Sequence, residues 1–384
     1  MQQKLQAAIS LGVKLTELNE FSVMDPFNGH QLQGYVSRVS DHRYGALYIA
    51  RVDGYLLPQR VFATPKFPYP FGKDGRFHFP RDVRSVEAYE KLDGTNIFGY
   101  CYMAPGHARC VTYKTRLLPV VQESRFGPFL TYWREMLKRY PRIPEYVWDY
   151  SDSGCGVSFE LFGARNKHLI IYDEPLDTRL LFGVRSDASL EPPAAMAVRL
   201  NSLLLPCPIP DLVTAHSERE LESVYKAMQA ELEATLTVDE VLGGYRGVEG
   251  RVWYMLGGEG WRAFKCKPET IEAIHWASSG IGKQIIQATA YNVLEDHDSC
   301  TPELIRELLL EEFNPAEIDI VWPLVMRVSL RVNQEAELRR TIFEAADQLQ
   351  RDGDEPVAAT VVMRALSKVL PKNRMRYAYS VLAG

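Results

Sequence analysis

Apolar and polar residues change period along this chain, and the changes mark out its elements. The first twenty residues, MQQKLQAAISLGVKLTELNE, repeat at helical spacing and predict a short amphipathic helix. GYVSRVS and GALYIARVDGYLLPQ read as short strands, with Asp53-Gly54 as a hairpin signal. TPKFPYPFGKDG, residues 64–75, is rich in proline and glycine and predicts a boundary. From about 80 to 270 the pattern is that of strands with helices between them. HARCVTYKT, GVSFELFG, HLIIYDE and RLLFGVR are strand candidates by their β-branched and aromatic content. Ser217 and Glu220 make a capping box at the start of a helix, SERELESVYKAMQAELEA. EGRVWYM and WRAFKCK face each other across LGGEG as a hairpin.

After about 270 the period becomes helical. PETIEAIHWASS continues the chain, Thr301 caps a helix with Pro302 in its first turn, and EAELRRTIFEAADQLQ repeats at helical spacing. The reading is an α+β protein of three parts: a small mixed module over 1–70, a β-rich domain over 71–270, and helices over 271–384.

Composition changes this picture little. The 384 residues, 46% hydrophobic and 24% charged, are those of a globular protein with real cores. A net charge of −5 excludes a blanket polyanion binder and leaves a local basic groove as the way to hold nucleic acid. Six scattered cysteines without a C-x-x-C pair argue against a zinc finger and a disulfide framework, and predict a reducing, cytoplasmic setting. Lys4, Lys14 and Glu17 break any signal-peptide core, and no apolar run approaches the ~20 residues that span a bilayer.

The chemistry starts at YEKLDGTNIFGY, residues 89–100. A lysine amine is a nucleophile only when neutral, which its ordinary pKa near ~10.4 forbids at pH 7. Nearby positive charge or desolvation has to help, so a reactive Lys91 needs company. Lys265 and Lys267 in AFKCKPE sit two apart on a strand and share a face, with Cys266 turned to a core. Glu160 and Glu249 stand at the ends of apolar strands, where a hydrated Mg²⁺ would account for them.

The stretch EKLDGTN matches the K-x-D-G-x-N motif of covalent nucleotidyltransferases, in the form that resembles ATP-dependent RNA ligases. TYKTR, FELFG, LLFGVR, VEGRV and FKCK follow in that family's order over roughly residues 85–270. The motifs look like those of the phage RNA ligase 2 group, and the overall plan is similar to the archaeal RNA-circularising ligases. The resemblance implies an ATP-grasp-like adenylation domain of antiparallel sheets with helices, a small N-terminal α/β module and an all-helical C-terminal domain.

It also implies three steps, with ATP and Mg²⁺ or Mn²⁺ as cofactors. Lys91 takes AMP from ATP, AMP passes to an RNA 5′-phosphate, and a 3′-hydroxyl displaces it. By the family's pattern Lys265 and Lys267 bind the α-phosphate and share catalysis with Lys91. Glu249 holds the metal, Glu160 the ribose, and Phe182 and Val252 flank the adenine. Glu90, Asn96 and Arg116 complete the nucleotide set, with Lys114 on the same strand face as an alternative to Arg116. RNA ends and a second copy of the chain, through the C-terminal helices, are the implied partners.

Plainer readings stand beside these. Asp93-Gly94 suits a hairpin turn, Phe182 a core, and the lysine pair a solvated strand edge. The helical tail is expected to serve RNA ends or dimerisation, not ATP chemistry, and PKNRMRYAY mixes cations and aromatics as RNA-binding surfaces do. DNA ligases and mRNA-capping enzymes usually carry arginine where this chain has Asn96 and continue into a β-rich OB domain. They are the alternative enzymes; a non-catalytic RNA-binding protein on the same fold is the alternative of another class.

Overall fold

The computed structural model describes the chain except residues 1, 40, 63, 73–74, 125–126, 152–154, 167, 200–207, 216, 240–243, 269–280, 311–312, 314, 351–357 and 384. Helix α1 (Gln2–Leu11) leads into a four-stranded antiparallel sheet, β1 (Leu18–Met24), β2 (Gln31–Ser37), β3 (Leu47–Val52) and β4 (Tyr55–Val61), in that order. The Asp53-Gly54 hairpin is present, with φ of 50° and 80° at its two central residues, as a primed turn requires. The expected helix over the first twenty residues ends early, because residues 18–24 pair with β2. Leu15, Leu18 and Phe21 are three apart, so an edge strand imitates helical spacing.

A second sheet contains β5 (Ser85–Lys91), and β6 (Thr95–Met103) and β7 (Arg109–Lys114) belong to a third. Helices α2 (Phe129–Arg139) and α3 (Ile143–Tyr150) precede β8 (Gly156–Phe162), β9 (Asp177–Val184), β10 (Leu190–Glu191), α4 (Pro193–Arg199), β11 (Asp211–Val213) and α5 (Glu218–Thr235). Short strands β12 (Thr237–Asp239) and β13 (Gly244–Arg246) pair with each other. The hairpin β14 (Gly250–Gly257) and β15 (Gly260–Cys266) follows. The sheets run β10-β9-β8-β6-β7 and β11-β5-β14-β15, every pairing antiparallel. HLIIYDE is not a strand: Ile170 makes a single bridge to Tyr245, and the segment instead donates from Ile170 N to the Asp93 carboxylate.

The other helices among the described residues are α6 (Lys283–Asp296), α7 (Pro302–Leu309), α8 (Pro315–Gln350), α9 (Ala359–Leu366) and α10 (Lys372–Ala383). The Ser217 hydroxyl caps α5 and the Thr301 hydroxyl caps α7, as their sequences predict. PETIEAIHWASS lies almost wholly outside the described residues, as does Cys207. The five described cysteines are free thiols. Among the described residues no helix is long and apolar enough to cross a membrane.

Strand alternation decides where the cores and the site fall. On β8, Val157, Phe159 and Leu161 enter a core shared with α2, α3 and the C-terminal helices α6 to α8. Ser158 and Glu160 therefore face the other way, with Asn96, Phe98 and Tyr100 of β6. On the neighbouring sheet, Val86 and Ala88 of β5, Trp253 and Met255 of β14, and Phe264 and Cys266 of β15 pack beneath α5. Tyr89, Val252, Tyr254 and Ala263 face the opposite side, against Phe98, Tyr100 and Phe182. The two sheets thus meet across one apolar layer, and residues two further along the same faces open into a cleft.

Candidate active site

That cleft is a cavity of about 450 Å³, within the usual range for small-molecule sites. Lys91 continues the Tyr89 face of β5, and Lys265 and Lys267 continue the Ala263 face of β15. Asn96 and Glu160 are register partners on β6 and β8, and Phe182 pairs with Ser158 on β9. All ten sequence candidates, Glu90, Lys91, Asn96, Arg116, Glu160, Phe182, Glu249, Val252, Lys265 and Lys267, line this one cavity. Glu90 is exposed at its rim, whereas Glu160 and Glu249 are 8% and 5% exposed.

The turn between β5 and β6 explains two letters of the motif. A Cβ at Gly94 would lie 2.2 Å from the Leu161 carbonyl oxygen, so only glycine lets this turn cross β8. Asp93 accepts from Ile170 N at 2.7 Å and donates its own N–H to the Tyr172 hydroxyl at 2.7 Å. The plain hairpin reading of Asp93-Gly94 is therefore replaced by a turn between two sheets, tied to the segment at Ile170 and Tyr172. Asn96 donates to the Ser158 hydroxyl at 2.8 Å, while its buried Oδ1 has no hydrogen-bond partner. A buried acceptor left alone costs free energy that a ligand donor would recover.

Glu249 is the hub of the charges. Lys267 Nζ lies 2.7 Å from its Oε1, and Lys91 Nζ donates to its Oε2. Burial alone would raise this carboxyl, but the ammonium groups of Lys267 and Lys91 outweigh it and hold it well below the ordinary range. Lys265 sits over the Tyr69 ring at 4.5 Å, and its N–H donates to the Pro68 carbonyl. Thr64 to Tyr69 therefore run along the site. Burial pushes the Glu160 carboxyl up to about 8 against the pull of Lys91 and Arg116. Asp93 rises to about 6, through burial first and the Glu249 charge second.

Arg116, not Lys114, reaches the cavity. Lys114 is fully buried, its ammonium spent on the Thr115 and Arg116 carbonyls at 2.8 Å each. Burial lowers its pKa to about 7. Phe182 is 3% exposed and packs against Phe67 at 5.2 Å, so it belongs to both the core and the cavity wall.

Ile285, Ala288, Thr289, Asn292 and Glu295 of α6, with Leu308 and Leu309 of α7, line the same cavity, so these two helices border the residues singled out in the β-rich part of the chain. Glu295 Oε1 lies 3.7 Å from His168 Nε2. Burial holds this imidazole neutral, its pKa lowered to about 3. Sequence reasoning missed Asp93, His168 and Glu295 as site neighbours; only Asp93, inside the motif, had a signal to find it by. Arg374 and Arg376 are exposed on α10.

Glu249, Asp93 and Glu160 share the cavity, and among the described residues no three acidic, histidine or cysteine side chains converge on one point. Glu249 is the carboxyl of the three that is held ionised, and it is the oxygen donor that a divalent cation would take there.

No protein-family profile matches the chain, and no curated protein does. Among solved structures it is similar to an archaeal ATP-dependent RNA ligase in two forms. They share 15% and 16% identity with it over 95% and 96% of this chain and 86% and 90% of theirs, with TM-scores of 0.45 and 0.48. It is also similar to a Naegleria gruberi RNA ligase E312A mutant with AMP and Mn, at 10% identity over 66% of this chain and 97% of that one, with a TM-score of 0.30.

Proposed function

We propose that this chain is an ATP-dependent RNA ligase that works through a lysyl-AMP intermediate on Lys91. The observation that carries the reading is the convergence of Lys91, Glu249, Lys265 and Lys267 into one cavity that Asn96 also lines. A solvated turn or strand edge has no reason to bury a carboxylate between two ammonium groups, because each costs desolvation.

In this reading the neutral Lys91 amine attacks the α-phosphorus of ATP, pyrophosphate departs with the electron pair of the broken P–O bond, and the amine proton goes to the departing pyrophosphate or to solvent. AMP then passes to the 5′-phosphate of RNA, freeing Lys91. The 3′-hydroxyl attacks that phosphate, AMP departs, and a phosphodiester remains. Glu249, held ionised far below neutral pH, orients the amine and is no proton acceptor there. Lys265 and Lys267 oppose the charge that grows on the transferred phosphate. Phe182 and Val252 bound the adenine, Glu160, largely protonated at neutral pH, meets the ribose, and Arg116 a phosphate. Glu249 would hold Mg²⁺ or Mn²⁺, which supplies positive charge beside the amine and the phosphates.

RNA is favoured over DNA because Asn96 stands where DNA ligases carry arginine. The division into 1–70, 71–270 and 271–384 is part of the proposal, as is dimerisation through the helices. The test is incubation with labelled ATP and Mg²⁺, denaturing electrophoresis, then 5′-phosphorylated RNA strands, nicked duplexes and their DNA counterparts side by side. A labelled protein and sealed RNA are expected. No label overturns the enzyme; DNA sealed better than RNA overturns the substrate.

A further inference from the structure

The N-terminal sheet reaches the site through one loop. A smaller cavity of about 60 Å³ adjoins the main one and shares Lys66, Arg116, Asn292, Glu295 and Leu308 with it. Tyr44, 4% exposed, comes from the loop between β2 and β3. Lys66 Nζ lies 5.3 Å and Arg116 Cζ 6.0 Å from the centre of its ring, both within cation–π reach.

The backbone at Arg116 is held from two sides. Gly45 has φ of 77°, and a Cβ there would lie 1.9 Å from the Arg116 carbonyl oxygen, so the loop presses directly on that residue. Asp296 of α6 accepts from the Thr115 hydroxyl at 2.8 Å and from Leu117 N at 3.2 Å. Arg38 pairs with Glu307 of α7 and ties the same module to the helices. What this clamp leaves open is informative: Arg116 Nε is buried and has no hydrogen-bond partner. Arg116 lines both cavities, and a guanidinium that does so is a natural partner for an oxyanion. Glu295, Asp296 and Glu307 share the smaller cavity; burial pushes Glu295 and Asp296 up toward the neutral form, and Glu307 is paired with Arg38.

We propose that Lys66 and Arg116 form a two-cation receptor for a phosphoryl group other than the α-phosphate, with Tyr44 as the positioning residue that holds both. This rests on the nucleotidyl-transfer reading of the main cavity. It gives the N-terminal module a part in the reaction. The phosphoryl group has two sources with the same chemistry: the outer phosphates of ATP, which leave as pyrophosphate, or the 5′-phosphate of the acceptor strand.

The full chain carrying Lys66→Met or Tyr44→Leu, with Lys66→Arg and Tyr44→Phe as conservative partners, separates them. Three half-saturation concentrations are measured: ATP in adduct formation, pyrophosphate in reversal of the preformed adduct, and 5′-phosphorylated RNA in transfer from it. K66M and Y44L are expected to raise the first two about tenfold if the outer phosphates bind there, or the third if the RNA phosphate does, with kcat within about twofold. K66R and Y44F are expected to restore them. Three unchanged values overturn the receptor, and Y44F failing as badly as Y44L overturns the ring's role. If Y44L fails to fold, K66M still decides. A wild-type protein that takes no AMP removes the underlying reading and this one together, whereas an adduct insensitive to both changes removes only this one.

Discussion

Glu160→Gln tests the electrostatics of the cavity through stability. Glu160 is 8% exposed, and burial pushes its carboxyl up to about 8 despite Lys91 and Arg116. In the unfolded chain a glutamate titrates near ~4.3. Below that value both states carry the proton and the group contributes no slope. Between ~4.3 and the native value the folded protein keeps a proton that the unfolded chain has lost, so stability falls as pH rises. One such group gives a slope of ~1.4 kcal/mol per pH unit and on the order of 4 kcal/mol over the window. Glutamine keeps the shape and cannot titrate. Urea unfolding of both proteins from about pH 4 to about pH 8 therefore shows curves that start together and separate, the variant ending more stable. Adenylylation by the variant is expected to fall at the same time, because the proposed reading has the Glu160 carboxyl meet the ribose. Parallel stability curves would refute the reasoning, since they would mean that Glu160 titrates alike in both states.

Other outcomes follow from the strand faces. Lys267→Ala is expected to cost about 100-fold or more in adduct formation, measured by single turnover. Cys266→Ala, on the buried face, is expected to lose about 1 kcal/mol of stability and little rate; a larger rate loss for the cysteine would reverse the face assignment. Gly94→Ala, whose Cβ would meet the Leu161 carbonyl, is expected to lower Tm and adduct yield together, and an unchanged melt would refute the close approach. Arg374→Ala with Arg376→Ala is expected to spare the adduct and slow sealing, most at higher salt, whereas equal losses in adduct and sealing would tie α10 to the Lys91 cavity.

Much of the site was legible because its residues lie at fixed offsets within strands. Lys265 and Lys267 share a face by period two alone, and the Lys91 motif carries its own glycine. Strand β1 was not legible, because Leu15, Leu18 and Phe21 keep a helical spacing while pairing with β2 supplies the hydrogen bonds. HLIIYDE looked like a strand by composition, yet Asp93 and Tyr245 take its backbone groups one by one. Tyr44 and Glu295 had no signal at all. Each meets the site only through tertiary packing, Tyr44 at the Arg116 turn and Glu295 at His168, and no spacing in the chain announces such a meeting.

The account stands or falls on where AMP is found. The purified protein is incubated with ATP and Mg²⁺, digested under conditions that preserve a phosphoramidate, and mapped by mass spectrometry. One AMP on the peptide holding Lys91, absent from the Lys91→Ala protein that still folds, is the predicted result. AMP on another residue, or a Lys91→Ala protein labelled as well as wild type, would contradict it.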